Sequence, residues 1–495
     1  KILLILCLVF VGSNSFASLR PLSKRNHKVN KLLKQIVAFP DFKTAGFAFY
    51  AVDINSGEAI AAVNKDMALK PASTQKLLST ATILELLGPG FQFETMLEYT
   101  GEIDTVNNYL DGDIIIKGGG DPSLGSKYFD STYKRQFLVD WTYAVKALGI
   151  DSISGRIISD ARIFSWDNVP PSWSWQNMGN YFGAGACGLS IYDNYYSICF
   201  SSGSQVNDKV NIVSSLPQIP GLIFDNAVTS DSISYDNTNI FGAPYSYFRD
   251  IRGQIPLNKN DFEVKGSMPD PALIAAQHLD SMLTEINIGI QMPATTMRLL
   301  QKEGLSGEIN GKTIYVTQSP MLSDIIAQTN THSINLFAEH FLIQSGIILG
   351  AAPEPVSSAD SVLSFWTRNG MDTQGLSLHD GSGLSHYNAI TPDQMVYLLK
   401  YMKLNSKYFD EFYNSMSIAG KTGTLENMFK GSIAEGKLRA KSGTISRAKA
   451  YTGYVTSVSG REIAFSMVVN NFSCKSSEAR EKLEQLMIAL AEFNK

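Results

Sequence analysis

Cysteine is scarce in this chain: four in 495 residues, at positions 7, 187, 199 and 474. Cys7 sits in an apolar leading run, so Cys187, Cys199 and Cys474 remain, an odd number that cannot all pair. A Cys187–Cys199 bridge and three separate buried thiols both stay open. Neither charge sign dominates, with 42 Lys and Arg against 46 Asp and Glu, a net charge of -4 and a pI near 5.9. That balance lacks the basic footprint of a nucleic-acid binder. The six histidines show neither His-x-x-x-His nor any Cys/His ligand spacing, so neither a metal nor another cofactor is expected. Long hydrophobic runs are missing too. The leading "KILLILCLVFVGSNSFAS" is shorter than the roughly 18 apolar residues a spanning helix needs. Its positive start and its small residues ending Ser15-Phe16-Ala17 read as a signal peptide over residues 1–17. The chain is therefore expected to be exported, with no integral membrane span once that segment is removed. No small residues stand before Cys7 to make a lipoprotein cleavage site.

Phosphate loops are lacking as well. Gly420-Lys421-Thr422 invites a Walker reading, but Ser415 stands where the first glycine belongs. Gly118-Gly119-Gly120 would need glycine at 123, where serine sits, and a helix start rather than Asp121-Pro122. No Gly-x-Ser-x-Gly elbow occurs either.

At 495 residues the chain exceeds what one core accommodates. Residues 27–38 have helical spacing, "TAGFAFYAVDINSGEAIAAVN" reads as a hairpin, and "STQKLLSTATILELLG" as a helix buried on nearly every side. From about residue 96 the texture becomes short strand-like runs with turn residues. Helical spacing returns in "INLFAEHFLIQSG" and "TPDQMVYLLKYMK", and the chain closes with three strand runs and an amphipathic helix. This order predicts an α/β protein in which one antiparallel sheet, built from both chain ends and covered by helices, occupies residues 18–95 and 300–495. A large β-rich insertion then fills residues 96–299.

Ser-x-x-Lys occurs at Ser73–Lys76, Ser131–Lys134 and Ser446–Lys449. Only Ser73 starts a buried helix, where residues three apart share a face and burial lowers the lysine pKa toward that of a base. The competing reading of Ser73 is an ordinary helix N-cap. Ser333-Ile334-Asn335 falls at a joint between helical segments. Lys441-Ser442-Gly443-Thr444 falls on a strand whose glycine admits a close backbone approach. Alone, the first would be a cap and the second a turn.

Together, in this order, the three elements resemble the penicillin-recognising serine hydrolases. The long insert between the first two motifs is similar to that of the class C low-molecular-mass penicillin-binding proteins, D-alanyl-D-alanine carboxypeptidases/endopeptidases of the S13 type. "GGGDPSL", "GRIISDARIF", "SPMLSDII" and "HDGSGLS" add to the likeness, which extends over the whole chain after the leader. The doubled string resolves on the same basis. Lys441 is followed by strands and the last helix, whereas Gly423-Thr424-Leu425 resembles the family's segment before the catalytic strand, leaving Lys421 incidental.

The resemblance implies a transpeptidase/β-lactamase-like domain acting on peptidoglycan stem peptides in the periplasm and acylated by β-lactam antibiotics. It implies Ser73 as nucleophile, Lys76 as base, Ser333 as proton relay and Asn335 as orienting amide. Lys441, Ser442, Gly443 and Thr444 would line the carboxylate end, and the N–H groups of Ser73 and Thr444 the oxyanion hole. Asp160 and His386 are implied at the peptide's far end, where the family commonly has arginine in place of His386. Histidine lacks the bidentate fork of arginine, so side-chain specificity is expected to differ. A serine β-lactamase and a non-catalytic envelope scaffold stand as alternatives.

Overall fold

The structure is a computed structural model that describes residues 27–130, 135–305, 307 and 309–494. The leader over residues 1–17 and the Ser131–Lys134 match lie outside the described residues. Among the described residues no helix is long and apolar enough to cross a membrane, and Cys187, Cys199 and Cys474 are free thiols.

Both chain ends build one sheet of six strands, ordered Ser417–Ile418, Leu438–Ile445, Ala448–Thr456, Glu462–Asn470, Gly46–Asp53, Ala59–Val63. Every pairing in it is antiparallel. The N-terminal hairpin joins the C-terminal strands through the Gly46–Asp53 and Glu462–Asn470 register. Val52, Ala464 and Tyr454 face a core with the helices Lys76–Leu87, Leu322–His332, Asn335–Ile348 and Pro392–Leu404. Phe49, Phe465 and Met467 face a second core closed by His27–Val37 and the last helix, Ser476–Ala491. Two apolar faces on one sheet demand helices on both sides, and the near-continuous burial of the three central strands reflects that sandwiching.

The β-rich insertion is present as two three-stranded sheets, one four-stranded and one five-stranded sheet. They surround two helices, Gln136–Lys146 and Pro271–Glu285, on a core of their own. Strand Lys312–Gln318 pairs with Glu94–Tyr99 at the edge of the five-stranded sheet. Phe93 and Ser319 bond to each other through both backbone N–H groups, so the two crossings between the parts lie side by side.

Candidate active site

Ser73 lies in a 3₁₀ turn, Ala72–Gln75, that leads into the helix Lys76–Leu87. It is one turn ahead of the helix proper, and it does not cap it. Ala72 is fully buried and takes φ +47°, the left-handed region that a side chain makes costly. Two glycines hold this turn. A Cβ on Gly383 would stand 2.0 Å from the Ala72 carbonyl oxygen, and one on Gly443 would stand 2.6 Å from that of Pro71. The glycine of the strand motif thus serves the approach of the Ser73 turn.

Lys76 is wholly buried at the base of this turn. Its Nζ lies 2.8 Å from Ser73 Oγ, 2.7 Å from Asn335 Oδ1 and 2.8 Å from the Ser382 carbonyl oxygen. Burial lowers its pKa to about 7, against the opposing charges of Glu339 and Asp380. Asn335 opens the helix Asn335–Ile348. Its Nδ2 donates to the carbonyl oxygen of Phe182 at 2.7 Å, which fixes which end of the amide meets Lys76. Ser333 takes φ +62° between the two helices, at the joint the sequence predicts.

The loop 380–388 supplies the third partner of Lys76 and is built on two buried carboxylates. Asp380 accepts from the N–H groups of Gly383 and Ser385, from Asn388 Nδ2, from Gln75 Nε2 and from Trp173 Nε1. Glu339 accepts from the N–H groups of Gly381 and Ser382. Burial and the adjacent Asp380 push the Glu339 carboxyl upward.

Lys441 is also fully buried, and its Nζ donates to the Ser442 carbonyl at 2.9 Å. Burial first, and the nearby Lys76 second, hold it well below the ordinary lysine range. Thr444 is exposed to the cleft, and the amine of its cross-strand neighbour Lys449 donates to its hydroxyl at 3.2 Å. Lys449 was visible only as the end of a spurious Ser-x-x-Lys match. Lys421 lies in an exposed turn after the edge strand Ser417–Ile418.

Ser73, Asn335, Thr444 and His386 line one cavity of about 450 Å³. Burial, then Lys70, lowers the His386 pKa. Asp160 is elsewhere: it is ion-paired to Arg162 at 2.7 Å and lines a different cavity with Lys117 and Glu94. The insert instead sends Ser174, Gln176, Asn177, Tyr181 and Phe182 to the Ser73 cavity. These five carry no role in the sequence reading, since their run "VPPSWSWQNMGNYFGAG" shows only the turn-rich, strand-like texture of the insertion. Ser333 opens on an adjoining cavity that shares Tyr181, Phe182 and Asn335 with the first.

A family model described as "D-Ala-D-Ala carboxypeptidase 3 (S13) family" matches residues 29–493. The D-alanyl-D-alanine carboxypeptidase DacB of Haemophilus influenzae is 26% identical, across 89% of this chain and 88% of that protein. The D-alanyl-D-alanine carboxypeptidase of Actinomadura sp. is 27% identical, across 92% and 83% respectively. Among solved structures, penicillin binding protein 4 of Haemophilus influenzae superposes with a TM-score of 0.79 at 22% identity, covering 94% of this chain and 99% of that one. The same protein in complex with a β-lactam gives 0.73.

Proposed function

The chain belongs to the S13 family of D-Ala-D-Ala carboxypeptidases, and on that premise we propose that its hydrolase chemistry runs through an acyl-enzyme on Ser73. One observation carries the assignment: the three oxygens around Lys76 suit a neutral amine. Asn335 Oδ1 and the Ser382 carbonyl can only accept, and they take its two N–H groups. Its lone pair is left for the Ser73 hydroxyl, the one neighbour able to donate. A pKa of about 7 keeps that form populated near neutrality.

Ser73 Oγ transfers its proton to Lys76 as it attacks the carbonyl between two D-alanines. Placed proton transfer of this kind contributes about 10²- to 10⁴-fold. The N–H groups of Ser73 and Thr444 stabilise the oxyanion, each on the order of 10²-fold. The C–N bond then breaks as Ser333 passes a proton to the leaving amine, and water cleaves the ester to release the shortened peptide and restore Ser73. Lys441, with Ser442 and Thr444, binds the terminal carboxylate. Peptidoglycan stem peptides are the substrates, a β-lactam forms the same ester and leaves it slowly, and the chain works in the cell envelope.

Fluorescent penicillin should label the purified protein, and Ser73→Ala should remove the label. Digestion of muropeptides should release D-alanine. Unlabelled wild type would sink the assignment, and sustained nitrocefin turnover would indicate a β-lactamase instead.

A further inference from the structure

Lys449 stands directly opposite Thr444 in the pairing of Leu438–Ile445 with Ala448–Thr456. Side chains alternate between the faces of a strand, so Ser442, Thr444 and Lys449 share one face and Lys441 belongs to the other. Two lysines therefore flank the same strand from its two sides.

Lys449 is the cation that the mechanism has not used. It is 8% exposed, on a strand where every residue from Ala448 to Val455 is buried. Among the described residues its amine has one hydrogen bond, to the Thr444 hydroxyl, and no carboxylate within ion-pair distance. Burial, and then the like charge of Arg480 on the last helix, lower its pKa. A buried ammonium without a counter-ion is costly. The cost is offset when an anion arrives beside it.

The hydrogen bond shows where the anion would sit. A lysine ammonium only donates, so Thr444 Oγ1 accepts from it and the hydroxyl proton is left to turn elsewhere. Thr444 lines the Ser73 cavity, and no acceptor for that proton lies among the described residues. No Asp or Glu lines the cavity either.

We propose that Lys449 is a positioning residue for the substrate's terminal carboxylate, acting through the Thr444 hydroxyl that it orients. The proposal rests on the reading of Lys441, Ser442 and Thr444 as the carboxylate end of the cleft, and it adds a cation from the next strand. Lys449 fixes Thr444 as a donor, and its charge strengthens the bond that this hydroxyl makes to the carboxylate.

The test uses two peptides that end in D-Ala-D-Ala, one with a free terminal carboxylate and one with a terminal carboxamide. The wild-type protein should favour the free acid in kcat/KM. Lys449→Met fills the same space without the charge, and it should lower the acid-to-amide ratio by about tenfold, the weight of one hydrogen bond to a charged group. The loss should fall in KM rather than in kcat. Lys449→Gln should lower the ratio as well, and it tests the charge even if the first variant folds poorly. Lys449→Arg should hold the ratio within about threefold of the wild type. With Thr444→Val already in place, Lys449→Met should change the ratio by less than about twofold. A loss shared equally by acid and amide would make Lys449 structural and overturn the proposal. If the wild type discriminates and both uncharged variants discriminate as well, only the role of Lys449 falls. If the wild type takes acid and amide alike, the carboxylate-end reading falls first and the role of Lys449 with it.

Discussion

On the proposed mechanism two buried lysines have opposite requirements, and their burial sets the pH behaviour. Lys76 acts as a base only when neutral, and its pKa is lowered to about 7. Acylation by a neutral reporter substrate should therefore rise with pH through about 7 and level off above it; a stopped-flow profile flat from pH 5 to 9 would contradict this. Lys441 must be charged to hold a carboxylate, yet burial and Lys76 disfavour its charged form in the free protein. A bound carboxylate restores that charge, so binding should take up a proton, seen in calorimetry as a dependence on the ionisation heat of the buffer. Removing the group with Lys441→Ala should slow acylation on the order of 10²-fold. Lys421→Ala, in its exposed turn, should leave acylation nearly unchanged. These distinctions were partly legible in the sequence. Ser73 and Lys76 are three apart and Ser333 and Asn335 two apart, so local geometry announces them. Asn335's bond to Phe182 spans 153 positions, and no short-range pattern encodes it. The resemblance names Asp160 and His386 together, and the structure puts His386, with Asn177, in the Ser73 cavity and Asp160 in another.

Among the elements, the loop 380–388 does most to hold the site together. The Asp380 carboxylate joins the nucleophile's turn through Gln75, the insert through Trp173 and its own loop through Gly383, Ser385 and Asn388. Asp380→Asn turns one acceptor oxygen into a donor that faces other donors. It should cost about 3 kcal/mol of stability, the size of a lost charge-assisted bond or two, read as a lower denaturant midpoint. It should also slow acylation by displacing the Ser382 carbonyl. Unchanged stability would mean the loop keeps its shape by other contacts. The loop's sequence "HDGSGLS" was conspicuous, but its chemistry was not, because Asp380 acts inward on backbone N–H groups rather than on substrate. The Ser73 turn was read as the start of the helix, and the two differ because Ala72 takes a left-handed conformation that no propensity scale anticipates.

On the scale of the whole molecule, the insertion is a structural partner of the catalytic domain. The helix Asn335–Ile348 is buried on nearly every side because the insert covers one face of it. His340 bonds to Ser190 Oγ and to the Gly120 carbonyl, each at 2.9 Å; Gln344 bonds to the Gly119 carbonyl; and Ile343 packs on Phe164. We propose residues 94–318 as its extent, following the pairing of Glu94–Tyr99 with Lys312–Gln318. Its ends are adjacent, so a short linker can replace it. The excised protein should nevertheless be poorly soluble and unlabelled by penicillin, since His340 and Asn335 lose their partners; labelling at the wild-type rate would show the catalytic domain to be self-sufficient. That the insertion exists and is β-rich was readable from the turn-punctuated strand runs. The pairing of Lys312–Gln318 with Glu94–Tyr99 was not, because it spans more than 200 positions.

The nucleophile's turn is tied to the far end of the chain: Lys70 exchanges hydrogen bonds with Asn470 across 400 positions, and Gly443 packs on Ser73. A ribosome releases Ser73 and Lys76 first, Asn335 about 260 positions later and Lys441 about 100 positions after that. Until the strands Leu438–Ile445, Ala448–Thr456 and Glu462–Asn470 join the hairpin Gly46–Asp53 and Ala59–Val63, the proposed mechanism lacks its oxyanion site and its carboxylate anchor. On the proposed mechanism, the hydrolase thus stays inert until the strand that carries Lys441 has been made and has joined the hairpin.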